Sequence, residues 1–276
     1  MSPKHEPIDA AGPDRDPRSA DTDAAVEDQG CLAYRFDILR YSAGDSRPPH
    51  FQVYELTLDR KASVLEALLT IQDELDPSLA FRSACRGAVC GSCAMAVNGR
   101  LQLACRVPLQ TIAGRKVVLE PLPGFEILKD LVVNMDEFWR KYERVQPWLH
   151  AKLSTVKESL VSPQDQQRID QFVNCILCGL CYAACPAARR NQQFTGPAAL
   201  AKLQRFWSDS REDRDLSTVR QEDSTEGLWG CHTIMACCDV CPKEVRPADG
   251  IRGLRRRWFA ERVKQFLGSR KNRKGQ

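Results

Sequence analysis

Apolar and polar residues alternate from Ala33 onward, in AYRFDILRY and again in FQVYELTL. A period of two is that of half-buried β-strands. The period changes at Ser63. Ser63-Val64-Leu65-Glu66 reads as a capping box, after which Val64, Leu65, Leu68 and Leu69 mark one face of a helix. CAMAVNGRLQLAC predicts a hairpin, with Asn98-Gly99 supplying the positive φ angles of a type I′ turn. KVVLEPL, residues 116–122, predicts a further strand. Together these elements predict a small mixed sheet packed on one helix.

After Pro123-Gly124 the pattern turns helical. DLVVNMDEFWRKYERVQPWL carries apolar residues at helical spacing, and three further helices are expected around residues 164–173, 197–208 and 250–267. Residues 1–30, rich in Pro, Asp and Ala and almost without bulky apolar side chains, read as a disordered acidic tail. The chain therefore divides into that tail, a sheet domain over 31–130, a helical domain over 131–268 and a basic tail over 269–276, an α+β organisation.

Composition changes this picture at two points. No apolar run approaches the roughly 18 residues that a spanning helix needs. The opening residues carry eight acidic and three basic side chains, which fits neither a secretory signal nor a mitochondrial presequence. The other end is basic: RRRWFAERVKQFLGSRKNRKG could meet phosphates of a nucleic acid or of lipid head groups. The cysteines described next favour the lipid or a merely solvated polar tail, and no nucleic-acid partner is expected.

Thirteen cysteines, an odd number, are too many for an ordinary chain of 276 residues, and twelve of them fall in three groups. Without an export signal, metal ligation is a better reading than a disulfide framework. Cys85, Cys90, Cys93 and Cys105 have the C-x₄-C-x₂-C…C spacing of a plant-type [2Fe–2S] site. Gly87 and Gly91 would supply the unusual φ/ψ that turns backbone N–H groups toward sulfur. Zinc, which prefers paired CxxC units, fits this spacing poorly.

CILCGLCYAACP places Cys175, Cys178, Cys181 and Cys185 at intervals of two, two and three before Pro186, the spacing of a bacterial ferredoxin motif. CHTIMACCDVCP repeats it in register, with Cys231, Cys237 and Cys241 in place but Ile234 where the second ligand belongs. In two-cluster proteins the fourth cysteine of each motif serves the other cluster. Cys175, Cys178, Cys181 and Cys241 then hold a [4Fe–4S] cluster, and Cys185, Cys231 and Cys237 a [3Fe–4S] cluster. Cys238 lies off this register and reads as a packing residue; Cys31 belongs to no group.

These motifs in this order, with ILKDLVVNMDEFW, NGRLQLAC, FTGPAAL and CHTIMAC, resemble the iron–sulfur subunit of succinate dehydrogenases and fumarate reductases, respiratory complex II, over residues 33–265. The resemblance implies a β-grasp (plant-type ferredoxin-like) domain followed by an all-α ferredoxin domain. It implies an FAD-containing flavoprotein partner and membrane anchor subunits, with or without haem b, that hold quinone. It also implies a peripheral site on the cytoplasmic face of a bacterial inner membrane. Such a complex joins the tricarboxylic acid cycle to the respiratory chain. Quinone contacts would come from Pro186, His232 and Ile234. This chain departs from many succinate dehydrogenases in carrying Ala187-Ala188-Arg189-Arg190-Asn191 where they have two tryptophans. The expected role is electron transfer in a succinate:quinone oxidoreductase, with no catalytic residues of its own. A quinol:fumarate reductase is the alternative, and a zinc-stabilised structural or nucleic-acid-binding protein the remote one.

Overall fold

The computed structural model describes residues 30–44, 46–151 and 158–273, with side chains to residue 266. The expected acidic tail lies outside the described residues apart from Gly30.

Strand β1 (Cys31–Arg40) pairs antiparallel with β2 (His50–Asp59) along its whole length. Its alternation buries Tyr34, Phe36 and Ile38. The capping box forms: Glu66 N–H donates to Ser63 Oγ at 3.2 Å, and Ser63 N–H donates to Glu66 Oε2 at 2.6 Å. That start sets the phase of α1 (Val64–Thr70), whose Val64, Leu65, Ala67 and Leu68 enter the same core. A wider π-type turn, Ile71–Leu75, prolongs it. Strands β3 (Ala94–Val97) and β4 (Arg100–Leu103) meet through Asn98 and Gly99 with φ of 49° and 73°, as a type I′ turn requires. Strand β5 (Lys116–Glu120) lies between the two hairpins, parallel to β1 and antiparallel to β3, in the order β2-β1-β5-β3-β4.

The helical pattern read from Pro123 onward fails over its first part. Ile127–Lys129 and Val132–Val133 form a two-stranded ribbon, β6 and β7, and helix begins only with α2 (Asp136–Arg144). Asp130, at φ 47°, is the reason. Its carboxylate accepts from Arg40 Nε at 3.0 Å, Tyr41 N–H at 3.0 Å and Ala80 N–H at 2.9 Å. Contacts this distant in sequence override a local helical period. Leu131 and Val133 consequently pack in the sheet-side core, although the pattern assigned them to the helical half.

The expected helices appear as α3 (Pro163–Val173), α6 (Pro197–Trp207) and α9 (Pro247–Arg273). Between them run four short ones that spacing did not reveal: α4 (Leu180–Ala183), α5 (Pro186–Arg190), α7 (Ser217–Gln221) and α8 (Ala236–Asp239). Helix α9 continues through most of the segment read as a basic tail. Its Ile251, Leu254 and Trp258 form one stripe, each at most 3% exposed, in a core shared with Leu200 and Leu203 of α6. The two halves meet where Leu180 and Ala183 of α4 join the sheet-side core. Buried Glu222 pairs with Arg144 at 2.8 Å and accepts from Thr195 Oγ1 at 2.5 Å. Among the described residues, no helix is long and apolar enough to cross a membrane.

Candidate functional site

Hairpin β3–β4 returns Cys105 to Cys93, and Ala104 N–H donates to the Cys93 carbonyl at 3.0 Å. The loop before the hairpin curls round Cys85. The N–H groups of Gly87, Val89 and Cys90 donate to Cys85 Sγ at 3.4, 3.2 and 3.2 Å, and Cys85 N–H donates to Cys90 Sγ at 3.5 Å. The backbone that does this differs from expectation. Gly91 has φ +76°, but Gly87 is not left-handed; Arg86 and Ala88, at 53° and 57°, make the turns on either side of it. Gly87 contributes its N–H, which any residue but proline has, so sequence alone overstated its need for freedom. Ser92 Oγ lies 2.8 Å from Cys90 Sγ, and this contact with the Cys85 N–H pulls the Cys90 thiol down to about 6. Burial pushes Cys93 the other way, up to about 12.

The two remaining groups occupy equivalent backbone turns, so the twelve-residue repeat is a repeat in three dimensions. Leu177 and Thr233, two residues after Cys175 and Cys231, have φ of 55° and 57°. Gly179 and Met235 have φ of 81° and 71° and lead into α4 and α8. In each copy the first left-handed residue turns its N–H to the preceding thiol: Leu177 to Cys175, and Thr233 to Cys231 Sγ at 3.4 Å. Ile234 occupies the place of Cys178 in this geometry.

Helices α4 and α8 lie side by side, and the cysteines after them cross over. A cavity is lined by Cys175, Cys178 and Cys181 from the first copy and Cys241 from the second. A second is lined by Cys231 and Cys237 from the second copy and Cys185 from the first. Pro186, His232 and Ile234 line this second cavity, and Ile234 is 58% exposed at its edge. Cys238 lines neither cavity, and neither does Cys31. Burial raises the thiol pKa of Cys178 to about 11 and shifts Cys175, Cys181 and Cys185 upward as well.

This donor set fits iron–sulfur clusters. Among the described residues, no three Cys, His, Asp or Glu side chains converge closely enough to hold one metal ion. The thiols of the second and third groups line two cavities, as a cluster taking one thiolate per iron requires. Ligation also demands thiolates, which burial disfavours, so cluster and folded chain depend on each other.

The first and second groups nearly touch. A Cβ on Gly91 would lie 2.7 Å from Cys178 Cβ and 3.2 Å from the Ile176 carbonyl oxygen. Only a glycine lets the loop of the first group come so close to the second. Sequence reading took Gly91 for a turn residue; the contact across the domain boundary carried no local signal, nor did the proximity of Lys202 to Cys175.

A family model described as a 2Fe-2S iron-sulfur cluster binding domain matches residues 35–140, and one described as a 4Fe-4S dicluster domain matches residues 171–245. The fumarate reductase iron-sulfur subunit of Haemophilus influenzae is 38% identical over 228 residues, covering 78% of this chain and 89% of that protein. The corresponding Escherichia coli subunit is 39% identical over 220 residues, covering 79% and 89%. This chain belongs to the iron–sulfur subunit family of succinate dehydrogenases and fumarate reductases. A chain of the Mycobacterium smegmatis Sdh1 complex in the apo form shares the fold, with a TM-score of 0.75 and 24% identity over 82% of this chain and 95% of that one. The family places this iron–sulfur subunit in an oxidoreductase complex, where its work is electron transfer.

Proposed function

We propose that this chain is the electron-transfer subunit of a succinate:quinone oxidoreductase. Residues 31–130 form a β-grasp domain and residues 131–268 an all-α ferredoxin domain, with the β6–β7 ribbon at the join. Cys85, Cys90, Cys93 and Cys105 hold a [2Fe–2S] cluster. Cys175, Cys178, Cys181 and Cys241 hold a [4Fe–4S] cluster, and Cys185, Cys231 and Cys237 a [3Fe–4S] cluster. The observation that carries this reading is the crossover: each motif sends its last cysteine to the cavity of the other. Bound there, the clusters supply one-electron steps between an FAD-containing flavoprotein and quinone. The chain's own residues position the thiolates, donate N–H groups to sulfur and exclude water.

Pro186, His232 and Ile234 would border quinone at the three-thiolate cavity. An anchor partner on that side is supported by exposed Ile234 and Trp229, and by Phe259, Val263 and Phe266 at helical spacing along α9. The arginines of α9 suit anionic head groups on the cytoplasmic face of a bacterial inner membrane, with the subunit peripheral. Haem b, where present, would reside in the anchor.

Quinol:fumarate reduction by the same parts is the second reading, consistent with the fumarate reductase names of the two bacterial relatives. Anaerobic purification should yield about nine iron and ten sulfide per chain. A colourless protein with zinc and no sulfide would refute the cluster assignment. Succinate oxidation by quinone, measured beside fumarate reduction by quinol in the assembled complex, distinguishes the two directions.

A further inference from the structure

Lys202 has no place in the ligand scheme, and nothing in LAKLQRF marks it out. It sits on α6, one residue from Ala201 and four from Ala198, both of which line the cavity of Cys175, Cys178, Cys181 and Cys241. The side chain is half-buried, and its Nζ donates to the Phe172 carbonyl at 3.2 Å, in the last turn of α3 and three residues before Cys175. Among the described residues no carboxylate pairs with it. Arg205, one turn further along α6, repels it. The electrostatic partner that does attract it is Cys175, three residues beyond that carbonyl.

A cation taken out of water without a counter-charge is costly. A carbonyl at the negative end of a helix offsets that cost only in part. The thiolates around the cavity, once they ligate, put negative charge beside this stretch of α6. The geometry points to Lys202, beside Lys243 which lines the cavity itself, as a fixed counter-cation of the cluster those thiolates hold, placed so that it raises the reduction potential of that cluster alone. This rests on the cluster assignment proposed above. Reduction adds one electron, taken from reduced flavin on the partner or from dithionite in a titration, and no proton need move. The extra negative charge interacts favourably with a neighbouring ammonium. Lys202 therefore favours the reduced form and acts as a positioning residue for the electron.

An EPR-monitored redox titration of the assembled complex tests this. K202M should lower the midpoint potential of the four-thiolate cluster in the helical half and leave the other two clusters unmoved. K202R, which keeps the charge, should restore it. K202Q can still donate a hydrogen bond toward Phe172 but carries no charge, so it should behave like K202M. An unchanged midpoint in K202M at full signal would overturn the proposal. So would a common shift of all three clusters, or a K202Q variant that behaves like the unaltered protein. If the unaltered protein lacks the [4Fe–4S] signal, it is the cluster assignment that has failed.

Discussion

Replacing Gly91 with alanine should expose two separable costs. Gly91 has φ +76°, and an L-residue in that region loses roughly 1–2 kcal/mol. The added methyl would also lie 2.7 Å from Cys178 Cβ and 3.0 Å from Cys178 Cα. Neither atom is the free end of a flexible side chain, so the two loops must separate. Overpacking of this kind costs about 1–3 kcal/mol. The sum, roughly 2–5 kcal/mol, is a large share of the 5–15 kcal/mol typical of a folded domain. Gly99 supplies the control, with φ +73° and nothing within 4 Å of its would-be Cβ, so Gly99→Ala should cost only the backbone part. Anaerobic urea unfolding, followed by tryptophan fluorescence and cluster absorbance, measures both variants. The difference between them is the steric part alone. If the two agree to within about 0.5 kcal/mol, the scatter of ordinary surface changes, the loops are not in contact and the reasoning is wrong.

Two further outcomes follow from other parts of the molecule. Ile234→Cys places a thiol where the repeat geometry puts Cys178. The protein should then gain about one iron per chain, and the EPR signal of an oxidised [3Fe–4S] centre should vanish; persistence of that signal would mean that position 234 does not face the fourth corner. Arg144→Leu leaves the carboxylate of Glu222, 0% exposed, with only Thr195 as a partner among the described residues. It should cost about 3 kcal/mol by thermal or urea unfolding, at the low end for a broken buried pair because Arg144 is 31% exposed. Adding Glu222→Gln should recover part of that loss.

Cysteine spacing determined the ligand groups before any fold was known. A cluster loop must return thiols at short, regular intervals, and that constraint is local in sequence. The repeat with Ile234 in place of cysteine was legible for the same reason, as were the capping box at Ser63 and the turn at Asn98-Gly99, each defined by two to four adjacent residues. What lay beyond reading depends on contacts distant in the chain. Asp130 breaks a helical pattern because Arg40, Tyr41 and Ala80 converge on its carboxylate. Arg86, Ala88, Leu177, Thr233 and Met235 adopt left-handed backbone without being glycine, in loops that turn N–H groups toward sulfur. Gly91 reads as a turn residue in sequence, and only the packing of one domain on the other makes it a point of contact with Cys178. Lys202 is an unremarked helical lysine until α6 is set beside the cavity. Local chemistry can be written in adjacent residues; proximity between distant segments exists only once the chain has folded, because it is the burial of both cores that brings them together.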